Sequence, residues 1–456
     1  MGFDKVLNEE NQVVGIIDIG HGDSGKGKLD DYLAALYDIN LRLSGGPNTG
    51  ATSTRNGKDL KLHLLPFGTL TPGIENILAG MVLFDPDTFF NSDLVAVNNY
   101  RITPLSEKEL LIDFRLPVIF PHNLIVDLVR NYKIGTTGRG IGSIAAEFIN
   151  RDSISIEDLF EPDLDQKIEA KMGENHVQDL ILFGMHNENV NRKRLNEIVH
   201  LYDDLNPETI AKAYYVYADK LKKFVGDAHN KLQTDYKSGK RILIPGTQGL
   251  LLDFIHGDRP YTSSTPVTPN GLLYTSGLPK IDYWLCVIKA LPTKVGAGPK
   301  PTLVYGDEAE NLRKKGSEYG TTTGRPRDVY MHAIPQLKHA LSFVPGKKGL
   351  VISKTDTVMD EILKVYLDYE CSQDVSTFQG NYSKGDPVSF YPRTMKLLSR
   401  LKGKDYVAFG PIEDSTNYKN LKELKGTQLG KYGEFLSDQL NIDLLAMGNG
   451  KETYLE

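Results

Sequence analysis

The stretch from Val13 to Leu36 constrains this chain more than any other. The apolar run Val13-Val14-Gly15-Ile16-Ile17-Asp18-Ile19 reads as a buried strand, and Leu29 to Leu36 reads as a helix. Between them lies Gly20-His21-Gly22-Asp23-Ser24-Gly25-Lys26-Gly27-Lys28. Strand, glycine-rich turn and helix together aim backbone N–H groups and a helix N-terminus at a phosphate. Gly20 to Lys26 satisfies the G-x-x-x-x-G-K part of the phosphate-loop pattern, but Gly27 stands where a Ser or Thr hydroxyl would hold magnesium. The metal ligand must then come from elsewhere, and Asp23 is the nearest candidate. A turn serving only tight strand-to-helix packing is the plain alternative. Two lysines and a carboxylate so close together favour phosphate.

The rest of the composition narrows the class. The 456 residues are 40% hydrophobic and 25% charged, the balance of an ordinary globular protein. A formal net charge of −6 gives no electrostatic reason to expect nucleic acid or an anionic membrane as partner. The two cysteines, Cys286 and Cys371, lie far apart with no His or Cys at metal spacing, which fits buried thiols in a reducing compartment. No signal-peptide apolar region and no bilayer-length apolar run is present. The expectation is a soluble cytoplasmic protein.

Along the chain, residues 1–11 read as a loose polar lead-in and 12–456 as a single domain. Strand-like runs at Val13–Ile19, Leu41–Leu43 and Ile77–Leu83 alternate with helical stretches, which predicts an α/β fold with a central, mainly parallel sheet. Leu110–Asp113, Pro117–Phe120, Arg241–Gly246 and Gly349–Ile352 add further strand candidates. Leu124–Tyr132 and most of 155–235 carry helical spacing.

Glycine-marked clusters recur, most of them just after an apolar run, where open α/β sheets place ligands. Gly45 to Thr52 contains Asn48, both donor and acceptor. Thr136 to Gly142 joins hydroxyls, backbone N–H groups and Arg139 in a possible anion cradle. Gly246-Thr247-Gln248-Gly249 places Gln248 where it could read a base edge. Gly320 to Arg327 brings hydroxyls, Arg325 and Arg327, which suit the carboxylates of a small acid. Singly each cluster could be a plain turn; together, with T-T-G-R occurring twice, they point to a multi-anion site. Ser353-Lys354-Thr355-Asp356 could read guanine, the carboxylate accepting from the base while the lysine stem covers it. Its plain alternative is a surface turn with Asp356 capping a helix over Val358–Tyr366.

These motifs, in this order, resemble the adenylosuccinate synthetase family from about Val13 to Glu452. G-D-x-G-K-G-K, I-G-T-T-G-R-G-I-G, G-x-Q-G, Val295-Gly296-Ala297-Gly298-Pro299, T-T-G-R and S-K-T-D carry the resemblance. It implies a phosphate-loop-NTPase-like single domain, a homodimer, and a ligase that joins aspartate to IMP with GTP and Mg2+. By that resemblance Asp23 is the base that removes the purine N1 proton, and Lys26 and Lys28 stabilise the transferring phosphoryl group. Asp23 and the Gly50 carbonyl would hold Mg2+. Asn48, Thr136, Thr137, Gln248, Ser263 and Arg325 match nucleotide positions, with Arg151 reaching over from the neighbouring subunit. Thr323, Arg325 and Arg327 match the aspartate loop. The donor site would use Gly25, Lys26, Gly27, Lys28, Lys354, Asp356 and Gly448.

The chain also departs from that pattern. The family's loop histidine that acts on the phosphoryl oxygen is Ala51 here, an earlier histidine is Pro47, and the usual Glu and Trp of the opening loop are Ser24 and His21. His21 is a candidate replacement imidazole, set against a satisfied structural histidine. Two other readings compete with the IMP reading. One is the phage-type enzyme that acts on dGMP with ATP or dATP as donor, a branch in which serine replaces the loop aspartate; Asp23 is retained here. The other is a catalytically weak nucleotide-binding homologue.

Overall fold

A computed structural model describes residues 2–130, 136–201, 203, 205–320 and 324–456. Its centre is a nine-stranded sheet. From edge to edge the strands are Asp443–Met447, Lys347–Ser353, Tyr283–Lys289, Val13–Asp18, Ile242–Pro245, Ile39–Gly45, Glu75–Val82, Leu110–Asp113 and Val225–Gly226. All of their pairings are parallel. Val13–Asp18, Ile39–Gly45, Ile242–Pro245 and Tyr283–Lys289 are buried along their whole length. Elements cover both faces of a parallel sheet, so its strands read as continuous apolar runs rather than alternating ones.

The chain order reverses about Val13–Asp18. Ile39–Gly45, Glu75–Val82 and Leu110–Asp113 build outward on one side. After the helices the chain returns at Ile242–Pro245, then builds outward on the other side through Tyr283–Lys289, Lys347–Ser353 and Asp443–Met447. Such a switch point opens a crevice at the carboxyl ends of the strands, where ligands bind in doubly wound sheets. The helices Leu164–Glu174, Val177–His186, Arg192–Leu201, Pro207–Leu221 and Ala228–Lys237 fill the segment expected to be helical. A smaller sheet of His332–Ala333, Leu363–Cys371, Pro387–Val388 and Leu401–Phe409 packs into the main apolar core. No helix among the described residues is long and apolar enough to cross a membrane.

Some local expectations are corrected. Residues 2–11 are not a loose lead-in: Phe3 and Val6 are 1% and 0% exposed, and Phe3 packs edge-on against Tyr454. Two buried apolar side chains outweigh the polar residues around them. Pro117–Phe120 forms only isolated bridges, Phe84 with Val118 and Pro117 with Ser155. Pro117 has no N–H to give a ladder, and Pro121 already opens the helix Pro121–Arg130. No helix covers 358–366; a short 3-10 turn, Thr355–Val358, leads into the strand Leu363–Cys371.

Candidate functional site

The loops at the carboxyl ends of the central strands enclose a cleft of about 1210 Å³. The glycine-rich turn leaves the strand Val13–Asp18 and enters the helix Lys26–Ala34. Gly25 caps that helix with φ +77°, a left-handed conformation that glycine adopts without strain. The structure also explains Gly27, the residue that breaks the phosphate-loop pattern. A Cβ there would lie 2.8 Å from the Phe67 ring and 3.0 Å from the Ala51 methyl. A Ser or Thr there would have to displace the Phe67 ring and crowd Ala51 and the Thr52 carbonyl. Ala51 opens the hairpin Ala51–Arg55 with Lys58–Leu62 and also lines the cleft.

The cleft gathers most of the candidate residues: His21, Asp23, Gly25, Lys26, Gly27 and Lys28 from the opening loop, Asn48 and Gly50 opposite, and Thr136 and Thr137. Gln248, Ser263, Arg325, Arg327, Lys354 and Asp356 complete the wall. Arg151 is not among them; it sits exposed at the C-cap of the helix Ile141–Asn150. Gly448 lies behind the wall, its carbonyl accepting from the Thr355 N–H at 2.9 Å and the Thr355 hydroxyl at 3.0 Å. Thr323 falls outside the described residues.

The contacts separate residues that face ligand from residues that hold the frame. Asp23 is half-buried and accepts from Arg327 Nε at 2.8 Å. Lys26 donates to the Gln248 carbonyl at 2.5 Å and lies 3.7 Å from Asp18. Burial lowers the Lys26 ammonium from its ordinary value, with Asp18 and Asp23 opposing. Gln248 donates to the Thr49 hydroxyl at 2.9 Å, while its own Oε1 is buried with no partner. A buried acceptor left open beside a cleft is a place for a ligand donor. Thr136 donates its hydroxyl to Asp127 at 2.8 Å, and Asp127 also accepts from the Gly140 N–H at 3.1 Å, which shapes the Thr136–Gly142 turn.

Lys28 departs from a simple phosphate role. Its ammonium donates to the carbonyls of Gly450 at 2.7 Å and Thr453 at 2.5 Å and lies over the Tyr454 ring. Burial lowers it to about 8, with Asp356 opposing. Lys354 takes φ +55° and donates to Glu318 at 2.8 Å. Asp356, two residues on, is pushed up by burial.

His21 has both ring nitrogens engaged, Nδ1 with the Tyr330 hydroxyl and Nε2 with Asp258, each at 2.8 Å. Its side chain is 0% exposed, and burial, with Lys294, lowers it below the ordinary histidine value. That geometry is a satisfied structural histidine. A ring bonded at both ends in the protein interior has no nitrogen left for a phosphoryl oxygen.

Residues that sequence reasoning did not single out are prominent here. Glu318 is 2% exposed and accepts from Arg327, Lys289 and Lys354, each at 2.8 Å. Asp258 is a buried hub of the same kind, while Asp127 is buried and accepts from the Thr136 hydroxyl and the Gly140 N–H. The one local signal was Lys289, a charge ending the apolar run Val287-Ile288-Lys289-Ala290; Glu318 carries none, because its partners come from distant segments.

For Mg2+ the donors are hard oxygens: the Asp23 carboxylate, whose side chain is 34% exposed, and the Gly50 carbonyl at the same cleft. No cluster of three or more His, Cys, Asp or Glu capable of holding a metal occurs among the described residues. One carboxylate plus nucleotide phosphates and water is a usual environment for Mg2+, so this donor set fits.

The family model described as adenylosuccinate synthetase matches residues 13–454. The adenylosuccinate synthetase of Clostridium novyi is 31% identical over 435 residues, covering 92% of this chain and 94% of that protein. A solved structure of fully ligated adenylosuccinate synthetase from Plasmodium falciparum has a TM-score of 0.80 at 24% identity, covering 97% of this chain and 99% of the other. The cyanophage S-2L succinoaminodeoxyadenylate synthetase, solved with dGMP and with dATP as energy donor, has a TM-score of 0.52 at 19% identity, covering 76% and 85%. At these identities the two structures speak to fold alone.

Proposed function

Since the chain belongs to the adenylosuccinate synthetase family of carbon–nitrogen ligases, we propose that it joins aspartate to C6 of IMP at the expense of GTP, releasing GDP and phosphate. The observation that carries this reading is the Asp23–Arg327 contact of 2.8 Å at the mouth of the phosphate loop. It brings a base and an amino-acid clamp together beside Lys26.

In this reading Asp23 takes the N1 proton of the purine. The anion that results carries its charge onto O6, which attacks the γ-phosphorus as the bond to the GDP oxygen breaks. The aspartate amine then adds at C6 and phosphate leaves. Lys26, held at the loop by the Gln248 carbonyl, offsets the charge on the transferring group. Arg327 is a guanidinium suited to a bidentate carboxylate. Thr323 and Arg325 complete the amino-acid loop, and Lys354 and Asp356 read the donor base beside Gly448. Asn48, Thr136, Thr137, Gln248 and Ser263 hold the acceptor, with Arg151 supplied by a second copy in a homodimer. Gly25, Gly27 and Lys28 shape the donor phosphate cradle. Bound Mg2+, held by Asp23, the Gly50 carbonyl and the nucleotide, would neutralise phosphate charge. We place the protein in the cytoplasm, consistent with its two buried free cysteines.

A second acceptor has one observation in its favour. The Ser24 hydroxyl is buried beside Asp23 without a partner, and it could accept from a purine 2-amino group. The test is phosphate release by the purified chain with IMP or dGMP, aspartate, and GTP or ATP. Release with IMP and GTP supports the proposal; release only with dGMP transfers it to the second acceptor. No release with any combination leaves a nucleotide-binding homologue.

A further inference from the structure

Arg327 and Lys354 come from different parts of the chain and both line the cleft, and both end on one carboxylate. Glu318 Oε2 accepts from Arg327 and from Lys289, and Oε1 accepts from Lys354, all at 2.8 Å. Thr293 supports the group from behind, accepting from Lys289 at 2.5 Å and donating to Glu318 Oε2 at 3.3 Å. The backbone adds two more ties. The Arg327 N–H donates to the Glu318 carbonyl at 2.9 Å, and the Glu318 N–H donates to the Arg313 carbonyl at 2.8 Å. The carboxylate is only 2% exposed and Lys289 and Arg327 are buried with it, so those two contacts are shielded from water, while the Lys354 side chain stays 31% exposed to the cleft. Lys289 lies at the carboxyl end of a central strand, so the cluster is anchored to the sheet itself.

We propose that Glu318 is a positioning residue that registers the amino-acid pocket against the donor-nucleotide pocket. One oxygen turns the Arg327 guanidinium so that its Nε meets Asp23, and the other fixes the Lys354 ammonium at the donor base. The two pockets are thereby held in one relation, and displacing either cation shifts the other through the shared carboxylate. Burial alone would raise the Glu318 carboxyl, but Lys289, Lys354 and Arg327 outweigh it and hold the group at about 2, so the anchor stays ionised.

This inference rests on the proposed assignment of Arg327 to the amino acid and Lys354 to the donor. It is tested with Glu318→Gln, which keeps the shape but puts an amide N–H₂ against a cation, and with the milder Thr293→Val. Steady-state kinetics with IMP, aspartate and GTP should show KM for aspartate and KM for GTP rising together by about tenfold in Glu318→Gln, within the usual range of coupling between sites. KM for IMP should stay within about threefold, so the change is confined to the two sites that Glu318 ties together. Thr293→Val should raise the same two constants together by about two- to threefold, the low end of hydrogen-bond contributions, because its bond to Glu318 is long at 3.3 Å. A thermal shift with both constants unchanged, or a rise in only one of them, would overturn the proposal. If wild-type protein releases no phosphate, the proposed reaction fails by itself, and the role of Glu318 is then read from crystal structures of wild type and Glu318→Gln. Loss of the Arg327–Asp23 contact together with displacement of Lys354 supports the role; both kept in place overturns it.

Discussion

Two buried carboxylates flank the phosphate loop, and they are put to different uses. Asp258 is 2% exposed, as is Glu318. Asp258 accepts from Tyr391 at 2.9 Å, pairs with His21 at 2.8 Å and lies 3.8 Å from Lys294. Of these partners only His21 borders the cleft, and its nitrogens point away into the protein. Two of the three cations on Glu318, Arg327 and Lys354, end in the cleft. Burial raises both carboxyls and their neighbours lower both below the usual range, so electrostatics alone does not distinguish them. The partners do: Asp258 holds the His21 side chain in the interior, whereas Glu318 holds Arg327 and Lys354 at the cleft wall.

The largest effect that would break this comparison is on stability. Asp258→Ala leaves His21, Tyr391 and Lys294 around an empty position, and removing one partner of a buried charged network costs about 3–5 kcal/mol. Denaturant unfolding should show that loss, while the folded fraction keeps turnover within about tenfold. A thousandfold fall in kcat without loss of stability would move Asp258 to the catalytic side. Next comes pH. His332 is buried behind the second cluster, bonded through Nε2 to the Lys289 carbonyl, and burial lowers it to about 4. Its folded value lies below the ordinary 6.5, so the unfolded chain binds the proton first. The stability from keeping it neutral is complete above about pH 6.5 and is lost as pH falls toward 4. Relative to His332→Gln, wild type should lose on the order of 2 kcal/mol across that window in urea titrations. A constant difference would contradict it. The smallest effect is expected at His21. His21→Phe should lower kcat by less than about tenfold, whereas losing a general acid costs about two to four powers of ten.

Much of the frame was legible because it rests on short-range pattern. The strand-like runs Val13–Ile19, Leu41–Leu43, Ile77–Leu83 and Arg241–Gly246 fall in neighbouring parallel strands, and glycine clusters follow several of them at the carboxyl ends. The order of motifs was enough to imply the family. Other features were not local. Asp258 meets His21 from across the chain, and Glu318 meets Lys289 and Lys354 from separate elements; no spacing rule marks a carboxylate whose cations arrive that way. Lys28 shows the limit from the other side: its place in G-K-G-K suggests phosphate, yet the fold brings the carbonyls of Gly450 and Thr453 to it first. His21 was open between two roles in sequence because only geometry shows whether an imidazole has a free nitrogen. The 2–11 segment was misread because polarity outnumbered two apolar anchors.

In the proposed reaction GTP phosphorylates the purine oxygen, with Asp23 as base, before nitrogen enters. IMP carrying 18O at the 6-oxo position, incubated with aspartate, GTP and Mg2+, tests this directly. The 18O should leave with the released phosphate, one labelled phosphate for each adenylosuccinate formed, and Asp23→Asn should abolish both. Adenylosuccinate formed with unlabelled phosphate, the 18O departing in water, would contradict it.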